Sequence, residues 1–346
     1  MEQLMRAVMK TKAGPGLELQ ERPVPRPGRH EVLIRVRAAS ICGTDLHILR
    51  WDPWAEHRVH PPIVVGHEVC GEIVEVGSDV TEIGIGTFVS AESHVVCGMC
   101  DMCRTGRGHL CRSTQILGVD RDGCFAEYVT IPAINAWPDP PDMPVEIAAL
   151  QENFGNAVHV ALRADLRAKK VLVTGCGPVG LMAIAVAKAV GARAVYATDV
   201  SSYRLDLART MGADAALDPT ESNMVEAVLD LTEREGVDVL LEMSGAAAAL
   251  REGFHLLKPG GEVALLGLPG QPVEFDFDNL VIFKGATVYG VVGRQLWETW
   301  YQVRGLLRSG AVNLAPLVTH RLPLERFEEA FALMTSSRCG KVVLLP

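Results

Sequence analysis

"KVLVTGCGPVGLMAIAVAKAVGA", residues 170–192, decides the fold of this chain. The apolar run 170–175 reads as a short strand, and 180–192, closing at Gly191, reads as a helix. Between them stands Gly175-x-Gly177-x-x-Gly180. A glycine triplet of this spacing is weak alone and gains meaning from a strand before it and a helix after it. Gly175 permits the tight turn, Gly177 lets the backbone approach a pyrophosphate, and Gly180 lets the helix pack on the strand. The helix N-terminus then offers unpaired N–H groups to phosphates. Asp199 ends the next strand, 19 residues after Gly180. An acidic residue about 20 residues on is what binds adenosine ribose hydroxyls in such a unit. A carboxylate there repels a 2′-phosphate, so the reading is NAD rather than NADP. Arg204 lies over the adenine or ribose, or is a solvated helix residue. The competing reading of the loop, a βα turn without ligand, accounts for the glycines but not for Asp199.

The alternation continues outward. Strands are expected at 193–199, 237–245, 261–268 and 286–293, with helices at 156–166 and 202–213. Near-continuous apolar strands between helices indicate a parallel sheet covered on both faces. The first ~150 residues differ: "EVLIRVRAAS" (31–40) and "CGEIVEVG" (70–77) are β-like and bounded by Gly and Pro, after a proline-rich connector at 22–30. An amphipathic helix is expected in 296–310, and "GKVVLLP" (340–346) is a strand able to return to the first domain. The expected fold class is α/β: a doubly wound parallel-sheet domain, 158–294, inserted in a discontinuous β-rich domain, 1–157 and 295–346.

At 346 residues the chain suits two domains. Its 48% hydrophobic and 22% charged residues are those of a soluble globular protein. No apolar run reaches the ~20 residues of a membrane span, and the start shows no leader pattern. The formal charge of −9 disfavours nucleic acid or an anionic membrane as main partner. Nine cysteines, an odd number without a leader, fit a reducing cytoplasm better than a secreted disulfide framework.

Four of those cysteines form Cys97-x2-Cys100-x2-Cys103-x7-Cys111. Four thiolates close a tetrahedral shell around Zn²⁺ and leave no open position, so such a site is structural. An iron–sulfur run shares the first spacings but ends in Cys-Pro, whereas Arg112 follows Cys111. Two disulfides are the remaining alternative. A second set is Cys42 in "SICGTDLHI" (40–48) with His67 and Glu68 in "VVGHEVCG" (64–71). Thiolate, imidazole and carboxylate are all competent zinc ligands. Thr44 and His47 lie within five residues of Cys42 and can pass a proton, by a hydroxyl and by a ring that titrates near neutrality.

Taken together, C-G-T-D, G-H-E, the cysteine lobe, the glycine loop and the closing G-K-V resemble the zinc-dependent medium-chain alcohol dehydrogenases from end to end. Within them, "ESHVVCGMC", "LGVDRDGCFAEYV", "FGNAVH", "YRLDLAR", "LEMSGA", "WETWY" and "THRLPL" resemble the branch that acts on L-threonine. The resemblance implies a GroES-like catalytic domain, with a structural-zinc lobe at 92–115, around a Rossmann NAD domain. It implies a catalytic zinc on Cys42, His67 and Glu68, with Glu152 binding or swinging toward it, and a structural zinc on Cys97, Cys100, Cys103 and Cys111. Thr44 and His47 take the places of the proton relay. Val179, Asp199, Arg204, Leu266, Gly267, Leu268, Val291 and Val292, with the three loop glycines, take those that hold NAD. His94 takes the place of a histidine near substrate, or is structural in the lobe. Asn153, where many relatives have proline, departs from the pattern and implies a less rigid loop around Glu152, and Thr87 stands where aspartate is common in the family's G-D-x-V turn and implies a less stable turn there.

The implied reaction is NAD-dependent oxidation of L-threonine at its 3-hydroxyl to L-2-amino-3-oxobutanoate, by a cytoplasmic homotetramer. The implied metabolic partner is a 2-amino-3-ketobutyrate CoA ligase, which forms glycine. A polyol or 2,3-butanediol dehydrogenase would keep the same metal and NAD residues. A non-catalytic zinc-ribbon binding protein is the rival from another class, opposed by the −9 charge and the second ligand set.

Overall fold

The computed structural model describes residues 3–221 and 223–346. They form two compact units: the chain up to Asn153 with Val318–Pro346, and Phe154–Leu317.

In the first unit, β1 (Leu4–Lys10) pairs antiparallel with β2 (Glu18–Pro23), and β4 (Ile63–Val64) flanks β1 on its other side. The larger sheet is built on β3 (Glu31–Ser40), in which Val32, Ile34 and Val36 are buried while Arg35 and Arg37 point outward. β5 (Glu68–Val76) lies antiparallel beside it, followed by β6 (Phe88–Ala91) and β10 (Ala136–Pro138), while β9 (Tyr128–Pro132) also pairs with β3. A small ladder, β7 (His94–Val95) with β8 (Gln115–Ile116), brackets the cysteine segment. Helix α1 (Gly43–Arg50) follows β3 directly, then α2 (Pro53–Arg58), and α3 (Asp101–Arg104) lies among the cysteines. The core gathers Ile34, Ile41, Ile48, Val65, Leu117 and Phe125, all fully buried.

Helix α4 (Val145–Ala161) begins well before the expected 156. Its first half is as apolar as its second, with Ala148, Ala149 and Leu150 fully buried. Glu152 and Asn153 therefore sit on a helix, not on a loop of doubtful rigidity.

The second unit alternates as the sequence predicts: β11 (Lys170–Thr174), α5 (Pro178–Ala189), β12 (Ala194–Thr198), α6 (Ser202–Thr210), β13 (Ala215–Leu217), α7 (Met224–Leu231), β14 (Val237–Glu242), α8 (Ala247–Leu256), β15 (Leu257–Leu265) and β16 (Thr287–Gly290). All pairings are parallel, in the order β13-β12-β11-β14-β15-β16. This doubly wound order reverses between β11 and β14, where such sheets bind ligands at their strand ends. Helix α9 (Glu298–Arg308) and the turn after it group with this unit, although 295–317 was expected in the first. Residues 154–157, also expected in the first, join it as well. Side-chain bonds tie these segments together: Arg294 Nη1 donates to Asn156 Oδ1 at 2.9 Å, and His159 Nδ1 meets the Gly293 carbonyl at 2.9 Å.

The chain then returns to the first unit through β17 (Val318–Pro323), α10 (Phe327–Thr335) and β18 (Lys341–Leu345). β18 pairs parallel with β17 and antiparallel with β3, as expected for the closing strand. No helix among the described residues is long and apolar enough to cross a membrane.

Candidate active site

Cys42 is the N-cap of α1, and Asp45 explains why the helix starts there. The Cys42 N–H donates to Asp45 Oδ2 at 2.9 Å, which satisfies a donor just ahead of the first turn. Asp45 is fully buried, and its other oxygen lies 3.6 Å from His67 Nδ1. With Nδ1 turned to Asp45, Nε2 is the ring atom left for a ligand. His67 is fixed by Gly66, whose φ of +92° suits glycine and whose missing Cβ would strike the Phe125 ring at 2.3 Å. Glu68 opens β5, fully buried.

The donor atoms of Cys42, His67 and Glu68 all lie within 4.8 Å of one another. Burial works against a charge on His67, but the Asp45 and Cys42 anions outweigh it and hold the ring well above its ordinary pKa. The pocket thus favours a cation, which is the demand a zinc ion meets. Burial lifts the Glu68 carboxyl above its usual range. Opposing that lift is Lys341, itself fully buried, whose Nζ donates to Glu68 Oε1 at 2.8 Å and Oε2 at 2.6 Å.

Thr44 Oγ1 stands 3.9 Å from Cys42 Sγ. His47, on the same helix, has a side chain 56% exposed, paired through Nδ1 with Asp52. The structure therefore places Thr44 beside the ligand set and His47 at the solvent surface. Glu152 is 3% exposed and accepts a 2.5 Å bond from Ser93 Oγ, outside the three-ligand cluster. His94 lies on β7, its Nδ1 3.2 Å from Oε1 of the fully buried Glu92.

The four-cysteine set also converges, with all sulfurs within 4.8 Å of one another. The Cys100–Cys103 and Cys97–Cys111 sulfurs are 3.5 and 3.6 Å apart. That is far beyond the ~2.05 Å of a disulfide. It is close to the ~3.8 Å edge of a tetrahedron with ~2.3 Å zinc–sulfur bonds. Backbone N–H groups of Cys97, Cys100 and Ser113 point at the sulfurs from 3.4 Å. Backbone donors at Cys103 and Arg112 draw Cys100 down to about 6, so one thiolate is available at neutral pH.

At the nucleotide loop, a Cβ at Gly180 would fall 1.9 Å from the Gly175 carbonyl oxygen, while one at Gly177 would meet nothing within 4 Å. That open face at the N-cap of α5 is the room a pyrophosphate needs. Asp199 receives the Cys176 N–H at 2.7 Å and the Ser201 N–H at 2.9 Å. Arg204 Nε is buried without a hydrogen-bond partner among the described residues. Val179 lies in the first turn of α5, Leu266 and Gly267 donate backbone N–H groups to the Glu242 carbonyl, and the Val291 N–H donates to Leu265. Leu268 and Val292 are 88% and 52% exposed.

Sequence reasoning missed Asp45, Asp52, Lys341 and Glu242. Glu242 is a fully buried carboxylate receiving the N–H groups of Ser244 and Gly245 at the end of β14. The adjoining "MSG" was its one local signal.

Comparison with known proteins agrees with this geometry. Residues 28–141 match the alcohol dehydrogenase GroES-like domain, and 178–309 match the zinc-binding dehydrogenase family. The chain is 52% identical over 347 aligned positions to an L-threonine 3-dehydrogenase from Symbiobacterium thermophilum, covering 100% of this chain and 99% of the relative. Among solved structures, a zinc-binding dehydrogenase from Sinorhizobium meliloti bound to NADP superimposes with a TM-score of 0.92 at 30% identity, covering all of both chains. A 2R,3R-butanediol dehydrogenase from Bacillus subtilis superimposes at 0.90, with 28% identity and 99% coverage of each. Matched in both units and over its whole length, this chain belongs to the zinc-binding medium-chain alcohol dehydrogenase family.

Proposed function

We propose that the chain oxidises L-threonine at its 3-hydroxyl, using NAD, to L-2-amino-3-oxobutanoate. The observation that carries this reading is the 52% full-length identity to an enzyme of that activity. The butanediol enzyme shares the fold at 28% identity, which favours threonine over a diol. The GroES-like unit holds the metals and the parallel-sheet unit the dinucleotide. Two zinc ions per chain are proposed, one on Cys42, His67 and Glu68 and one on Cys97, Cys100, Cys103 and Cys111.

When bound, a zinc ion held by Cys42, His67 and Glu68 would supply Lewis acidity to the substrate hydroxyl, and NAD would supply the hydride acceptor. The residues of the chain do the rest. Thr44, beside Cys42, accepts the hydroxyl proton and passes it outward. His47 is the exit, because its ring is open to solvent and its Nδ1 is paired with Asp52. Glu152, held by Ser93, keeps a carboxylate next to the site, and His94, oriented by Glu92, contacts the substrate. Gly175, Gly177, Val179 and Gly180 cradle the pyrophosphate, and Asp199 with Arg204 takes the adenosine ribose. Leu266, Gly267, Leu268, Val291 and Val292 line the remainder. Because Asp199 is already held by two backbone donors, its charge stays fixed where a 2′-phosphate would come.

A homotetramer is the proposed assembly, and the exposed apolar side chains of Phe277, Ile282 and Phe283, with Val288 on the edge strand β16, offer surface for contacts between copies. A cytoplasmic location fits nine free thiols. The product is a β-keto acid, so an enzyme of the 2-amino-3-ketobutyrate CoA ligase type is the proposed next step. Initial rates of NAD reduction with L-threonine, 2,3-butanediol and sorbitol test the reading. L-threonine is expected to give the highest kcat/KM, and a higher value on either polyol rejects it.

A further inference from the structure

Asn153 stands next to Glu152 on α4, and the two side chains leave the helix in different directions. Glu152 takes the Ser93 hydroxyl, whereas Asn153 Nδ2 reaches to 3.7 Å from Cys42 Sγ, 111 residues away in sequence. That sulfur is the one hydrogen-bond partner of the Asn153 side chain among the described residues. Asn153 is 2% exposed, and its Oδ1 is buried with no partner among the described residues. A buried amide with an orphan oxygen costs stability, and asparagine is a poor helix former. Neither burial nor helix propensity therefore explains the residue, and its contact with the sulfur does. A thiolate accepts and cannot donate, so the attractive orientation of the amide is the one with N–H toward Cys42.

We propose that Asn153 is a positioning residue for Cys42, whose sulfur it holds and partly discharges through an N–H···S bond. Such a bond draws electron density off a thiolate, which makes it a weaker donor to whatever cation it ligates. A partner of this kind sets the properties of a metal site as much as the ligands do. The inference rests on the reading of Cys42 as a metal ligand.

The test replaces zinc with Co²⁺ in the full-length protein and records the near-ultraviolet sulfur-to-cobalt charge-transfer absorption. The Cys42→Ser difference spectrum isolates the part due to Cys42 from that of the four-cysteine site. Asn153→Leu keeps the number and branching of the side-chain heavy atoms and removes the donor. Asn153→Ala removes it without adding any atom that could clash, and decides the matter where the leucine variant fails to fold. In either variant the Cys42 component is expected to move to longer wavelength, because the sulfur electrons lie higher without the N–H. An unmoved band in a folded, cobalt-loaded variant overturns the role of Asn153 while leaving Cys42 as a ligand. Should Cys42→Ser leave the spectrum unchanged, the ligand assignment falls and this proposal with it. A side chain that merely filled space would not shift the band in both variants.

Discussion

Lys341→Met is the perturbation whose cost the structure fixes best. Lys341 and Glu68 are both fully buried, and the ammonium donates to both carboxylate oxygens and, at 2.9 Å, to the Ile41 carbonyl. Methionine keeps most of the length and removes all three bonds. Breaking one side of a buried ion pair costs about 3–5 kcal/mol. A separate route gives the same scale. Stranded Glu68 can escape by taking a proton. At pH 7 that costs about 3.4 kcal/mol for a group of ordinary pKa 4.5, at 1.36 kcal/mol per unit. The unit holding the pair has about 180 residues, for which 1 kcal/mol moves the melting midpoint by about 2–4 °C. The variant is therefore expected to unfold about 6–20 °C lower at pH 7 in chelator-treated protein, followed by circular dichroism or calorimetry. The sign with pH is fixed. Without the ammonium, burial raises the folded pKa of Glu68 above its unfolded value, so the penalty is present above the unfolded value and grows as pH rises. The deficit should therefore shrink as pH falls from 7 toward 5. Adding zinc should shrink it too, since the ion gives the same carboxylate another counter-charge. A midpoint within 2 °C of the parent, or a deficit indifferent to pH, would refute the pairing, and indifference to zinc would refute Glu68 as a ligand.

Three other substitutions probe the reaction directly. Cys42→Ser should abolish turnover while NAD still binds in a fluorescence titration; near-normal kcat would end the ligand assignment. His47→Asn should lower kcat by about 10²–10⁴-fold and flatten its dependence on pH around neutrality, and an unchanged profile would remove His47 from the proton exit. Asp199→Gly should raise KM for NAD and improve the relative use of NADP. The charge removed is worth about 1–4 kcal/mol per phosphate charge at ~4 Å, so a kcat/KM ratio that stays put would reject its role.

Legibility followed sequence distance. The glycine loop, the Asp199 spacing and the four cysteines are local patterns, and the structure keeps all three as compact sites. Cys42 with His67 and Glu68 is legible through the resemblance that C-G-T-D and G-H-E carry together, not through any one local spacing. Lys341 is legible only as the lysine of the closing G-K-V; its pairing is not, because Glu68 lies 273 residues away and the lysine sits in an apolar strand. Glu152 and Asn153 read as loop residues because the plain helical spacing of the sequence begins only at 156. The apolar stretch before them is too short to betray its period, and packing extends the helix back to Val145. Asp45 was read as part of a motif, yet its physical work, capping the helix that presents Cys42, needs the backbone to be seen.

The charges around Cys42 explain why these residues come as a set. Asp45, Glu68 and Glu152 are buried carboxyls near one thiol, and Lys341 offsets one of them. The resulting field falls on two neighbours. His67 is pulled toward its protonated form by Asp45 and Cys42. The Cys124 thiol, already lifted by burial, is lifted further by Asp45, Glu68 and Glu152. A field of this sign is a cost to folding unless a cation enters it. A proton on His67 is one way to meet that cost, and a divalent ion on Cys42, His67 and Glu68 is the other. The two are exclusive, because the ring nitrogen that binds a metal must be bare. On the proposed zinc site, the carboxyls behind Cys42, His67 and Glu68 would do two things at once: strengthen the hold on a metal ion, and set the acidity below which protons take its place.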